Sequence, residues 1–181
     1  APDQRFQAER GVTSHDLVDL DGDDRVELVS VRIPTGVLEI VEVLVTRAID
    51  ALVTVHKHGD GTVFDPEPWI TSKQDIGISF ETLRPNGFIP NSGADVDGDG
   101  RRDLLGSGDG ERIEVRLGDP EEGFARRAST QPLDTVRPIR FGDLDGDART
   151  DFVLYDPRRP GTPLRIGRSR LGGPALAPSP E

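Results

Sequence analysis

Cysteine and methionine are both missing from this 181-residue sequence, lysine occurs only at Lys57 and Lys73, and aromatic residues make up 5% of the chain. Without cysteine there is no disulfide framework and no thiolate metal site, and the redox compartment leaves no trace in the thiols. Methionine is absent even at position 1, as expected of a processed mature chain or of a segment of something longer. No run approaches the roughly 20 apolar residues of a membrane span, and the N-terminus carries no basic-plus-apolar leader. Positive charge is also scarce. With 22 basic and 33 acidic residues the net charge is −11, which argues against nucleic acid or an anionic membrane as partner and favours cations.

What the sequence does contain is turns. Hydrophobic residues make up 34% of it and charged residues 30%, with 21 glycines and 15 prolines. That is the composition of short strands joined by frequent turns, in a length that suits one structural unit.

One nine-residue pattern occurs three times: DLDGDDRVE at 19–27, DVDGDGRRD at 95–103 and DLDGDARTD at 143–151. Each copy places carboxylates at loop positions 1, 3, 5 and 9. These are Asp19, Asp21, Asp23 and Glu27; Asp95, Asp97, Asp99 and Asp103; and Asp143, Asp145, Asp147 and Asp151. Four acids in nine residues repel one another unless a cation joins them, and a hard divalent ion takes six to eight oxygens at about 2.3–2.6 Å. Calcium fits best, with up to three ions expected. The position-7 backbone carbonyls, those of Arg25, Arg101 and Arg149, can complete each ring, and glycine at position 4 (Gly22, Gly98, Gly146) permits the sharp turn. Position 6 is Asp24, Gly100 and Ala148. If that position needs positive φ, alanine fits worst, which makes 143–151 the weakest or most distorted loop.

An EF-hand or dockerin-like loop shares the opening acids but closes with an acid at position 12. Here position 12 is Ser30, Gly106 and Leu154. The flanks read as strands: 16–20 and 26–31 around the first loop, 140–144 and 152–155 around the third.

The runs DLVDLDGDDRVELV, GADVDGDGRRDLL and FGDLDGDARTDFVLY resemble the FG-GAP and VCBS repeats of integrin-like β-propellers, in which an Asp-x-Asp-x-Asp-x-x-x-Asp calcium loop joins two strands. The resemblance implies a mainly all-β fold of tandem four-stranded propeller blades and calcium as the bound ion. About partners it implies little, since such propellers serve adhesion, carbohydrate binding, toxin scaffolds and a few enzymes.

Loops two and three start 48 residues apart, close to one four-stranded blade, while loops one and two start 76 apart, so the first interval carries an insertion. A hairpin is expected from 103–107 and 112–117, turned at Gly108-Asp109-Gly110, with a further strand at 124–129. The insertion is expected to be helical near 36–50: Glu39, Glu42, Thr46 and Asp50 fall at helical spacing, and Val37, Leu38, Val41, Leu44, Val45 and Ala48 cover the other face. Thr35 is the candidate N-cap, and the apolar stripe is expected to pack on its own blade. A strand at 51–57 and a turn at Asp60-Gly61 follow. Residues 1–171 are thus expected to form a partial or open propeller segment, since a closed ring takes four to eight blades. The end, 172–181, reads as a flexible tail.

No catalytic constellation stands out. Ser14, His15 and Asp16 are neighbours on a strand and point to opposite faces, which argues against a triad. His56 and His58 share a strand face and lack further ligands nearby. Trp69, Phe64, Phe80, Phe88 and Phe141 are expected to fill the space between blades. The expected function is a non-catalytic, calcium-binding interaction or scaffold module that is extracellular, on a cell surface or periplasmic. Its expected partner is a protein or the remaining blades of a longer parent, and a carbohydrate stays open. A propeller domain of a carbohydrate-active or other hydrolase or lyase, and a subunit of a toxin or surface assembly, are the alternatives.

Overall fold

The computed structural model describes residues 4, 11–59, 63–81, 84–85, 87–107, 112–132, 137–155, 161, 163–169 and 177–178. Over these the protein is mostly β-strand with one helix, as the composition and the repeat imply.

Three antiparallel sheets follow one another along the chain. The first holds β1 (Gly11–Val18), β2 (Glu27–Pro34), β3 (Ala48–His56) and β4 (Ile70–Ser79), with the short β5 (Arg84–Pro85) on its edge. The second holds β6 (Asn91–Ala94), β7 (Asp103–Gly106) and β8 (Arg112–Arg116); after the two-residue strands β9 (Gly118–Asp119) and β10 (Gly123–Phe124), it is completed by β11 (Ser129–Pro132). The third holds β12 (Arg137–Gly142), β13 (Asp151–Tyr155), β14 (Arg165–Arg168) and β15 (Ala177–Pro178). The second and third are four-stranded, the form expected of a blade, and the first has a fifth strand in β5. Each acidic loop joins the first two strands of its own sheet.

Alternation sets which residues enter the core. Along β2 the buried side chains are Glu27, Val29 and Val31, and along β3 Ala51, Val53 and Val55. In β7 all four residues are buried, because this strand lies between two neighbours. Leu104 joins a core with Leu20, Val29, Val55 and Phe124, which binds the first sheet to the second. Leu105 points the other way, into a core with Val96, Ile113, Val115, Phe152 and Leu154, which binds the second to the third. Among the described residues no buried cluster joins the first sheet to the third, and the sheets form no closed barrel.

Phe88 and Phe141 pack on the second core and Trp69 on the first, as expected, with Phe141 edge-on to Phe152 at 5.5 Å. Phe64 and Phe80 do not fill the space between sheets. Phe64 lies against the His58 ring at 5.3 Å, and Phe80 is partly exposed beneath the Arg47 guanidinium. The buried aromatics at that depth are Phe124 and Phe152.

The insertion is helical, as the polar spacing predicts, but it ends early: α1 spans Val37–Thr46, and Ala48 already starts β3. The N-cap is Gly36 and not Thr35, with no side-chain capping bond. Acidic Glu39 lies in the first turn, where the helix dipole favours negative charge. At the other end Arg47 adopts φ 58° and donates its N–H to the Val43 carbonyl, which closes the helix. The apolar stripe does not pack on its blade. No α1 residue is buried, and Val37, Leu38 and Val45 are about four-fifths exposed.

Two strand boundaries also differ. The strand expected at 124–129 is split into Gly123–Phe124 and Ser129–Pro132, because Gly123 at φ 73° breaks the extended run beside Trp69 and Ile70. In the expected tail, Ala177–Pro178 pair with Gly167 and Arg168. The turns at Asp60-Gly61 and Gly108-Asp109-Gly110, and the rest of 172–181, lie outside the described residues. Among the described residues no helix is long and apolar enough to cross a membrane.

Candidate metal centre

The three acidic loops close in the same register. The residue before position 1 faces position 9 in every copy: Val18 with Glu27, Ala94 with Asp103, Gly142 with Asp151. An eight-residue loop therefore bridges each strand pair.

The loop backbone winds around the position-1 carboxylate. One oxygen of Asp19 accepts the Gly22 N–H at 2.8 Å and the other the Asp24 N–H at 3.1 Å. Asp95 accepts from Gly98 and Gly100 at 2.7 and 3.0 Å, and Asp143 from Gly146 and Ala148 at 2.6 and 3.0 Å. Position 5 accepts the N–H of position 7: Asp23 from Arg25, Asp99 from Arg101, Asp147 from Arg149. These bonds demand a left-handed backbone at two positions. Position 4 is glycine with φ 77–84°, and position 6 has φ 65° at Asp24, 89° at Gly100 and 67° at Ala148.

The condition set on Ala148 is therefore met, yet loop three is not distorted, because its hydrogen bonds match those of the other two. Since those bonds hold Ala148 at positive φ, the strain counts against folding. A left-handed alanine costs about 1–2 kcal/mol, partly offset by the freedom glycine adds to the unfolded chain. Ala148→Gly should thus raise stability by roughly 0.5–1 kcal/mol, and Gly100→Ala, where a Cβ meets no atom, should lower it by a similar amount. Chemical denaturation checks both.

Position 9 has a structural duty. Glu27, Asp103 and Asp151 are each 1–2% exposed, and each accepts the N–H of position 2: Leu20, Val96 and Leu144. Asp103 also accepts from Gly118, and Asp151 from Ser169. Burial pushes the Asp103 carboxyl up to about 6, against the pull of its two N–H donors, and burial likewise raises Glu27 and Asp97. Asp143 is held low by the Gly146 N–H.

In each loop three acids bring an oxygen within 4.8 Å of the others: Asp19, Asp21 and Glu27; Asp95, Asp97 and Asp99; Asp143, Asp145 and Asp151. Asp23, Asp103 and Asp147 stand outside these triplets. The Arg101 side chain pairs with Asp99 at 2.6 Å. Arg149 lies 3.7 Å from Asp147 and donates through Nε to the Asp97 carbonyl, joining loop three to loop two. One oxygen of Asp21 is buried with no hydrogen-bond partner. An all-oxygen donor set with an orphaned buried carboxylate oxygen fits a hard cation.

Sequence reading missed the partners that clamp the loops. Thr150 accepts the Asp95 N–H and donates its own to the Asp95 carbonyl, and the Ser169 hydroxyl donates to the Thr150 carbonyl. Lys57 and Arg168 reach Asp21 and Asp145.

The residues set aside for catalysis have other bonds. His15 meets the Ser30 hydroxyl, Asp16 caps the Leu17 N–H, and His56 faces the Asp65 carbonyl.

Residues 95–154 match the family model of the FG-GAP-like repeat, a span that runs from loop two through β13. No curated protein and no solved structure matches the chain. The hairpin register and the carboxylate bonds of that span recur around loop one, so the same local design is used three times. Over residues 95–154, a third of the chain, the sequence is similar to the FG-GAP-like repeat.

Proposed function

We propose that this protein is a calcium-binding, non-catalytic interaction or scaffold module of an extracellular, cell-surface or periplasmic protein. The single observation behind the reading is the threefold hairpin: in each copy three carboxylates converge within 4.8 Å on a backbone already wound around position 1. Asp19, Asp21 and Glu27, then Asp95, Asp97 and Asp99, then Asp143, Asp145 and Asp151 would hold the ions. Asp23, Asp103 and Asp147 and the carbonyls of Arg25, Arg101 and Arg149 are the further oxygens within the same loops. Bound calcium supplies charge neutralisation and cross-links turn to strand; the chain supplies the register.

The exposed apolar face of α1 favours assembly with a protein partner, since an apolar surface left in water gains by being covered. Isothermal calorimetry on chelator-stripped protein tests the metal reading. Three calcium ions per chain are expected, with magnesium much weaker because it resists dehydration into a loop of six to eight oxygens. Absence of binding heat with calcium sinks the reading.

A further inference from the structure

The three loops are alike in backbone but unlike in the charge that faces position 3. In loop one the Lys57 ammonium lies 2.8 Å from an Asp21 oxygen. In loop three the Arg168 guanidinium is 3.4 Å from Asp145, and both side chains are more exposed. Among the described residues no cationic side chain pairs with the Asp97 carboxylate of loop two. Lys57 is also held from behind: its Nζ stands 3.7 Å from the centre of the Trp69 ring, and Trp69 is the sole tryptophan. The indole face favours a cation at that point, and the Asp65 N–H bond to the Lys57 carbonyl fixes the backbone that carries it.

We propose that Lys57 is a resident cation of loop one, which neutralises Asp21 in the absence of metal and makes loop one the weakest calcium site of the three. The proposal rests on the calcium reading above. Loop one holds three converging acids, and one positive charge from the protein already offsets them. A divalent ion arriving beside the orphaned Asp21 oxygen meets a like charge at contact range on a largely buried carboxylate, whereas the cations beside the other two loops, Arg101 on Asp99 and Arg168 on Asp145, pair with carboxylates more open to screening by solvent. Lysine suits this role because its ammonium is compact and its stem flexible, so it can withdraw along the indole face.

The geometry also supplies the reporter. An ammonium that shifts off the Trp69 ring changes the indole's surroundings, so Trp69 emission follows loop one alone. The test titrates calcium into chelator-stripped wild type and Lys57→Met, reading heat and tryptophan emission together. In wild type the emission change is expected at higher calcium than the first ion bound by heat. In Lys57→Met the emission response is lost with the ammonium, and the weakest calcium step read by heat moves to roughly tenfold lower calcium, the screened effect of one charge on a side chain 36% exposed. The same variant melts lower than wild type in chelator, because Asp21 loses its counter-charge. Lys57→Gln repeats the test with a polar side chain if the Met variant folds poorly.

A weakest calcium step left at unchanged or higher calcium in Lys57→Met overturns the proposal, as does a wild-type emission indifferent to calcium while calorimetry counts three ions. These results leave the calcium reading standing. No calcium heat in either protein overturns both.

Discussion

Millimolar calcium is expected to raise the melting temperature of this chain by roughly 5–10 °C for each loop it fills, and a chelator to reverse the rise. The unfolded chain cannot present position 1 and position 9 of a loop together, because it is the strand pairing that brings them close. Calcium therefore binds the native state, and each site adds RT ln(1 + [L]/Kd), about 2.7 kcal/mol at a hundredfold excess over Kd. That is large against a typical total of roughly 5–15 kcal/mol. Electrostatics adds to the effect, since three ions bring six positive charges to a chain of net charge −11. Asp97→Ala or Asp99→Ala should remove part of the rise. A melting curve indifferent to calcium and to chelator, in protein verified as metal-free at the start, means that the loops are acidic turns and nothing more.

Acidification from pH 7 to pH 5 is expected to raise stability without calcium and to shrink the increment that calcium adds. Asp103 is buried, and its carboxyl is raised from 3.8 to about 6. Between those values the native state binds more protons than the unfolded state, so stability falls as pH rises through about 6 and is recovered below. The full span corresponds to roughly 3 kcal/mol. Glu27 and Asp97, raised by burial, act with the same sign, whereas Asp143, lowered by the Gly146 N–H, acts against it from an exposed position. In chelator the melting temperature should therefore rise from pH 7 to pH 5. In calcium the increment should shrink over the same range, as protons compete for the loop carboxylates.

Asp103→Asn separates these effects. Each Asp103 oxygen accepts one N–H, buried from Val96 and part-buried from Gly118. An amide turns its NH₂ toward one of them, at about 1–3 kcal/mol for the orphaned donor. The variant should lose more stability at pH 5 than at pH 7.5, because at pH 7.5 the wild type already carries a buried charge. Thermal melts in chelator at the two pH values check this. A wild type and variant that share one pH slope would sink the assignment.

The loops were legible because their chemistry is local. Carboxylates two residues apart, glycine at position 4 and strands on either side lie within nine residues, and the backbone then has one way to wind around position 1. The helix was legible in kind from Glu39, Glu42 and Thr46, although its end was not: Ala48 and Ile49 carry no stop signal and are taken into β3 by pairing with Gly77 and Ile76. Apolar periodicity showed which face of α1 is greasy. Whether a neighbour covers that face is a tertiary fact, and here none of its residues is buried.

Position 9 looked like a metal ligand by type, and burial gave it a second task that spacing cannot show. Its donors Gly118 and Ser169 follow their loops at unequal distances, so no repeat search finds them. Lys57 lies 36 residues from Asp21, and Arg149 lies 52 from Asp97. By itself, then, the sequence determined the three acidic turns, the strands that flank them and the helical insertion, because bonds between near neighbours set all of these. Only the tertiary structure decided which carboxylates are buried, which loop faces a lysine and which apolar surface stays open, because those depend on strands meeting across long stretches of chain.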